Sequence, residues 1–128
     1  MEKEVIDLKL KVFYKEDMGY AKLNFPAISI GINSIYINDL ASKELELSDG
    51  DSYLLATDLD GNIYFARTTS MTNAKAYLLR RAGTTHLKSF VGVLPSKFKE
   101  LNIPKGYYVY DPPIFDGKFD WFQLNKLD

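Results

Sequence analysis

Positively charged side chains are concentrated in one stretch of this chain, residues 67–106. That stretch holds 8 Lys and Arg residues against 1 acidic residue, a net +7, whereas residues 1–66 hold 6 basic and 12 acidic residues, a net −6. Clustered cations can bind nucleic acid, because neutralised phosphates and the counterions they release supply most of the affinity. The candidate phosphate-binding residues are Arg67, Lys75, Arg80, Arg81, Lys88, Lys97 and Lys99. The alternative is that these cations form solvated faces paired with the acidic first half.

Groups that could support catalysis or bind a metal are few. The chain has no cysteine and a single histidine, His86, which excludes thiolate and imidazole-rich metal sites. Aspartates could pair for acid–base chemistry, but most of the candidates fall in or beside predicted turns, which Asp side chains stabilise. They are Asp58, Asp60, Asp111, Asp116 and Asp120. We therefore predict a protein that is not an enzyme and that uses no metal and no cofactor.

Aromatic residues are frequent towards the end of the chain. They are Tyr107, Tyr108, Tyr110, Phe115, Phe119, Trp121 and Phe122. Three roles are open for them: stacking on unpaired bases, a protein-binding surface, or packing in the core and between strands. The alternation of Tyr108 with Tyr110, and of Phe119 with Trp121, favours packing.

The elements that would position these side chains are mostly short strands. Period-2 alternation and β-branched runs, interrupted by turn residues, are typical of half-buried strands. They predict strands over 5–14, 27–30, 34–37, 51–57, 62–68, 87–93, 107–111 and 119–124, with strands or a short helix over 77–81. The Asp60-Gly61 and Asp116-Gly117 pairs predict turns, because both residue types tolerate positive φ. A type I turn is predicted at Pro104-Lys105-Gly106, and another turn at residues 83–85.

Two short helices are predicted. Asn38 offers a side-chain cap to a helix over 39–46, with Leu40, Ala41 and Leu45 facing inwards. Pro95 suits the first position of a helix over 95–101, where its missing N–H costs nothing. Phe98 and Leu101 would form the apolar stripe of this second helix.

The chain repeats itself at an offset of 56 residues. The offset aligns Lys43-Glu44-Leu45 with Lys99-Glu100-Leu101, Gly50 with Gly106, Asp60-Gly61 with Asp116-Gly117, and Ile37 with Val93. Chance similarity between two helix-plus-hairpin units is the alternative, but the identical residues fall at predicted helix ends and turns. We predict one domain over 1–128, with an N-terminal strand or hairpin at 1–26, unit one at 27–68, a connector at 69–76 and unit two at 77–124. The fold class is mainly β with short helices, a pseudo-twofold duplication of strand–helix–hairpin units in a small β-barrel.

A family resemblance accompanies this repeat. Unit one carries Ile35-Tyr36-Ile37-Asn38, Ala41, Leu45, Leu47 and Gly50-Asp51, and unit two carries Val93-Leu94-Pro95, Phe98, Leu101, Ile103 and Gly106. In these residues the chain resembles the AbrB-like swapped-hairpin family of prokaryotic DNA-binding regulators, with two units in one chain as in MraZ-like regulators. The resemblance implies an interlocked barrel that binds DNA. The basic residue that the family places before this strand falls on Ser34 and Phe90, and Asn38 stands where the family has Pro.

These observations lead to two expectations of function. The first is a DNA-binding protein like a transcription regulator, whose partner is double-stranded DNA. The alternative is a protein-interaction or assembly protein, for example a phage-related or accessory component, whose partner is another protein or a second copy in a homodimer. The charged start and the lack of a long apolar run predict a cytoplasmic protein with no membrane partner.

Overall fold

The computed structural model describes residues 23–69, 76–82 and 88–127. Its strands are β1 (Ile28–Ile30), β2 (Ser34–Ile37), β3 (Asp51–Thr57), β4 (Ile63–Thr69), β5 (Tyr77–Leu78), β6 (Arg80–Ala82), β7 (Ser89–Val93), β8 (Gly106–Tyr110), β9 (Ile114–Phe115) and β10 (Asp120–Lys126). Its helices are α1 (Asp39–Glu44) and α2 (Ser96–Lys99). The prediction of a mainly β chain with short helices is confirmed. The predicted strand 5–14, the turn at 83–85 and most of the connector 69–76 lie outside the described residues.

The strands form one antiparallel sheet that nearly closes into a barrel. The order of hydrogen-bonded neighbours is β5-β3-β4-β10-β8-β1-β2-β7-β6, and β9 pairs with β10 beside this path. The two ends of the order meet, because β5 and β6 are separated in the chain only by Leu79. The Leu79 amide donates a hydrogen bond to the Asp51 carbonyl oxygen at 2.9 Å, which ties this junction to the start of β3.

The strand order has a twofold symmetry that relates the two units. Exchanging β1 with β5–β6, β2 with β7, β3 with β8 and β4 with β10 leaves the neighbours around the barrel unchanged. The units are interleaved, because β1 pairs with β8 of the second unit and β5 pairs with β3 of the first. The predicted pseudo-twofold barrel is therefore confirmed.

The residue offset between the units is not 56 throughout. An offset of 56 aligns Ile37, which is fully buried, with the exposed Val93. An offset of 57 aligns Ile37 with the buried Leu94, and Asn38 with Pro95, so that the two helix N-caps coincide. The gapless alignment was wrong here because a shift of one residue moves a strand side chain to the other face of the sheet.

The offset of 56 does hold just after the helices. Glu46 and Asn102 both adopt a left-handed backbone, with φ of 55° and 53°. Gly50 and Gly106, which precede or begin the next strand, both have positive φ as well. Unit two therefore has one residue fewer than unit one between the helix N-cap and the left-handed residue after the helix, and α2 is shorter than α1.

Helix α1 begins at the predicted cap. The Asn38 side-chain oxygen accepts hydrogen bonds from the Ala41 amide at 2.8 Å and from the Ala27 amide at 3.2 Å. Ala41 and Leu45 are buried as predicted, but Leu40 is exposed and the prediction for it was wrong. Ser42 completes the buried face because it lies about 60° around the helix axis from Leu45, whereas Leu40 lies about 140° from it.

Helix α2 is a single turn. Pro95 occupies the N-cap position and not the first helical position, and Phe98 is buried as predicted. Leu101 is exposed, contrary to the prediction, because the helix ends at Lys99 and the chain leaves the helical path before Asn102. The predicted turn at Pro104-Lys105-Gly106 is not formed, since the chain enters β8 at Gly106 without one.

One core is shared by both units, and Tyr53 joins them at its centre. The Tyr53 ring stacks on Phe65 with 5.8 Å between ring centroids, and its hydroxyl donates to the Val93 carbonyl oxygen. Gly92 lies against this ring, and a Cβ at that position would be 2.6 Å from Tyr53 Cε1. Glycine is therefore required at position 92 for the Tyr53 ring to lie this close to β7.

Candidate functional site

Arg67 is held within the fold by an ion pair. Its Nη1 donates to Asp51 Oδ2 at 3.2 Å and to the Glu46 carbonyl oxygen at 3.4 Å. The Asp51 carboxylate is buried and also accepts a hydrogen bond from the Ser48 amide at 2.8 Å. Arg67 therefore compensates a buried charge and fixes the loop that contains the left-handed Glu46.

Arg80 and Arg81 point to opposite faces of the sheet. They are neighbours on β6, where Arg80 lies opposite Val91 and Arg81 opposite Phe90 of β7. Successive side chains of a strand alternate between faces, and Phe90 is buried in the core. Arg81 thus leaves the strand on the side of Phe90 and Arg80 on the opposite side, and both side chains are exposed.

The remaining candidate cations lie at the two ends of β7. Lys88 immediately precedes β7, whereas Lys97 and Lys99 belong to α2, which follows it. The five residues of β7 separate these places by about 16 Å. Lys75 lies outside the described residues, as does His86. The described cations beside β7 therefore form two groups, one at each end of that strand.

A cleft of about 520 Å³ lies between α2, the β1–β2 turn and the segment before β8, and we call it the α2 cleft. Its apolar walls are Ile30, Ile32, Leu94, Phe98, Ile103 and Pro104. Its polar lining is Asn33, Lys99, Asn102 and Lys105, with no acidic side chain from the described part of the chain. Lys99 Nζ lies 3.4 Å from Asn33 Oδ1, so that α2 and the β1–β2 turn are joined across it.

Lysines collect at this α2 cleft. Lys99 and Lys105 line it, and Lys97 is exposed on the same helix. Lys126 of β10 lies over Gly106, with its Nζ 3.6 Å from the position that a Cβ would take there. The sequence reasoning missed Lys126 because only the pairing of β8 with β10 brings it next to Lys105.

A second cleft of about 480 Å³ lies at the end of α1, and we call it the α1 cleft. It is lined by Glu44 and Glu46 from the end of α1, by Arg67, and by Phe115, Lys118, Phe119 and Asp120 from the β9–β10 hairpin, among others. The Tyr110 hydroxyl is buried close to Glu44. Burial, and secondarily the Glu44 charge, raises the pKa of Tyr110 above its ordinary value.

The β9–β10 hairpin is ordered by Asp116. Its Oδ1 accepts the amides of Lys118 at 2.9 Å and Phe119 at 2.7 Å, and its Oδ2 accepts the Trp121 indole N–H at 2.8 Å. These hydrogen bonds, that of Phe119 foremost, lower the pKa of Asp116. The hairpin nevertheless leaves β9 uncovered, with Ile114 59% and Phe115 66% exposed. The adjacent Pro112-Pro113 and Asp116-Gly117 are the sequence signal that could have indicated a short protruding hairpin.

Asp58 plays the corresponding part in the β3–β4 turn. Its Oδ1 accepts the amides of Asp60 and Asn62, and its Oδ2 accepts the Tyr64 hydroxyl at 3.1 Å. The interpretation of Asp58 and Asp116 as turn residues is thus confirmed. Residues 23–69, 76–82 and 88–127 contain no group of three or more His, Cys, Asp or Glu residues that could hold a metal ion. The same ranges contain no helix long and apolar enough to cross a membrane.

The residues behind the family resemblance occupy matching places in the two units. Asn38 and Pro95 are both N-caps, and Gly50 and Gly106 both have positive φ before or at the next strand. These features establish the duplicated barrel and leave the AbrB-like assignment a prediction. Comparison of the chain with family models, curated proteins and solved structures finds no match.

Proposed function

We propose that this protein is a non-enzymatic protein-interaction or assembly protein that binds through its β9–β10 hairpin. The observation that supports this proposal is the exposure of Ile114 and Phe115 on a hairpin whose turn is fixed by Asp116. Large apolar side chains held in a defined geometry outside the core are typical of protein-binding surfaces. Phe119 packs edge to face with Trp121 and Tyr110 with Phe122, whereas Phe115 is 66% exposed.

Duplex-DNA binding is the second candidate function. Four lysines around the α2 cleft favour it: Lys97, Lys99, Lys105 and Lys126. Arg81 and Lys88 lie at the other end of β7, about 16 Å from Lys97 and Lys99, and are therefore not part of this lysine group.

A titration with duplex DNA separates the two candidates. If the protein acts through its hairpin, binding should be weak at about 50 mM salt and absent at about 200 mM salt. Submicromolar binding that weakens steeply with salt, and that is lost on reversing Lys97, Lys99 and Lys105 to Glu, would establish the DNA function and overturn the proposal.

Site-specific photo-crosslinking tests the interaction directly. A benzophenone amino acid replaces Phe115 in the protein as produced in its own cells, and a matched variant carries it at Leu59, the exposed tip of the β3–β4 turn. We expect discrete protein adducts from position 115 and none from position 59. Equal labelling from both positions, or none from position 115, would contradict the proposal.

A further inference from the structure

The α1 cleft combines an aromatic wall with carboxylates. Its aromatic residues are Phe115, Phe119 and Phe122, and its acidic residues are Glu44, Glu46 and Asp120. In residues 23–69, 76–82 and 88–127, none of these three carboxylates forms an ion pair, whereas the Arg67 charge is balanced by Asp51. With Lys118 as the other lining cation, the cleft keeps three negative charges against one positive charge, a net −2. The cleft is therefore suited to a positively charged ligand.

Two cations of the chain itself already lie at this cleft, on the kinds of group that a ligand cation would contact. Lys118 Nζ lies 5.3 Å from the centroid of the Phe119 ring. Arg67 Nη1 donates to the Glu46 carbonyl oxygen at 3.4 Å, just after α1. The exposed Phe115 offers a further ring at the same cleft, beside the lining carboxylates. Contacts of a cation with a ring and with an oxygen are thus both formed within this lining.

The carboxylates of the cleft are not arranged for a metal ion. The part of the chain that the structure describes contains no group of three or more His, Cys, Asp or Glu residues that could hold one. An Arg or Lys side chain fits a cleft with separate carboxylates, because its apolar stem packs on rings while its charged end donates to oxygens. The cleft volume of about 480 Å³ lies within the range of about 300–1,000 Å³ that binding pockets commonly have. The lining thus matches a basic side chain in both apolar character and charge.

We infer that the α1 cleft binds an Arg or Lys side chain of the protein partner that contacts the β9–β10 hairpin. This inference rests on the proposed interaction function and specifies the chemistry of the partner. An apolar residue of the partner packs on Ile114 and Phe115, and the basic residue next to it enters the cleft towards Glu44 and Asp120. The partner is therefore recognised by a basic residue adjacent to an apolar one.

Nuclear magnetic resonance titration of the isotope-labelled full chain with a short peptide tests this site. The probe is acetyl-Leu-Arg-amide, and its control is acetyl-Leu-citrulline-amide, which has nearly the same shape without the charge. The amide resonances of Phe115 and Phe119 should shift with the probe, and the citrulline peptide should bind at least about threefold more weakly. The dissociation constant of the Arg peptide should rise with salt, because the charges of exposed carboxylates are screened.

Removal of the carboxylate charges should abolish the preference for the Arg peptide. Glu44→Gln with Asp120→Asn keeps the shape of both side chains and removes their charge. Asp49→Asn with Glu100→Gln is the matched control, because it removes the same charge from residues that do not line the cleft, and it should keep the preference. If the first variant does not fold, as judged by its circular dichroism, Glu46→Gln with Asp120→Asn tests the same cleft.

Each remaining outcome counts for or against the inference. Equal affinity of the two peptides for the wild type would overturn it, as would the absence of shifts at the hairpin or a preference that survives in Glu44→Gln with Asp120→Asn. Shifts of equal size at the acidic β3–β4 turn, around Asp58 and Asp60, would show unspecific ion binding and would also overturn it. If crosslinks from position 115 keep their yield in the cleft variant, the inference fails while the proposed interaction function stands. Loss of these crosslinks in the cleft variant, with the matched control unchanged, supports both.

Discussion

Gly92 is a position at which a single added carbon would disturb the contact between the two units. Its substitution by Ala would place the Cβ 2.6 Å from Tyr53 Cε1 and 3.2 Å from Leu79 Cδ2. We expect Gly92→Ala to lower the free energy of unfolding by about 1–3 kcal/mol, measured by urea denaturation. Gly31→Ala is the control, because its nearest atom would be at an ordinary 3.5 Å. Equal effects of the two substitutions would contradict this account of Gly92.

Two neighbouring tyrosines on β8 differ in what their hydroxyls contact. The Tyr108 hydroxyl donates to the Pro104 carbonyl oxygen, whereas the buried Tyr110 hydroxyl lies close to Glu44 without a hydrogen bond of normal geometry to any described residue. Tyr110→Phe should therefore leave the free energy of unfolding unchanged or raise it, whereas Tyr108→Phe should lower it by about 1 kcal/mol. Paired urea denaturation curves measure the difference. A larger loss for Tyr110→Phe would show that its hydroxyl is satisfied in solution.

At the scale of elements, the ionised Asp116 carboxylate accepts the hydrogen bonds that order the β9–β10 turn. The pKa of this carboxyl is lowered in the folded protein, so it contributes stability above its unfolded pKa, near 3.9, and the contribution is lost as the pH falls through the folded pKa. The Trp121 indole proton resonance should follow this titration, with a midpoint below the pKa of the unfolded carboxyl, because the indole donates to Asp116 Oδ2. In Asp116→Asn that resonance should not move over the same range. A midpoint that is not lowered would contradict the hydrogen-bonded turn.

Elements encoded by short-range chemistry could be predicted from the sequence. The Asn38 cap acts over three residues and the Asp58 turn over four, so their residues alone specify them. The prediction that Leu40 and Leu101 face inwards was wrong. Helical spacing predicts which residues are buried only when the length of the helix and the elements packed against it are known. The opposite directions of Arg80 and Arg81 follow from strand alternation once β6 is known. The sequence of residues 77–81 allowed either strands or a short helix, so these directions could not be predicted from it.

The α2 cleft could not be predicted in this way. Ile32, Phe98 and Ile103 are brought together by pairing between β1, β2, β7 and β8, which joins residues far apart in the chain. The 56-residue repeat indicated two units but not their interleaving, because a repeat states which segments are alike and not which of them pair. The lysine cluster was likewise hidden, since Lys126 is 21 residues from Lys105 in the sequence.

At the scale of the whole molecule, neither unit carries a complete set of strand partners. β1 needs β8 of the second unit, and β3 has β5 of the second unit as its other neighbour. We expect residues 1–72 and 73–128, produced separately, to remain largely unfolded, and to regain the far-ultraviolet circular dichroism of the intact chain when mixed. Complementation should be slow, since long-range strand pairing is slow. A fragment that unfolds cooperatively on its own would contradict the interleaving.

Closure of the barrel at Leu79 has a consequence for local opening of the folded protein. β5 pairs with β3 over two residues and β6 with β7 over three, whereas β3 and β4 pair over seven. The pairing of β3 with β5 is therefore the shortest around the described ring, since the pairing of β6 with β7 is as long as those of β1 with β2 and with β8. Sub-global opening should begin between β3 and β5, and amide hydrogens on β5 should exchange with deuterium sooner than those on β4. Opening of the barrel should therefore start at a strand of the second unit, which is also the unit that carries most of the basic residues.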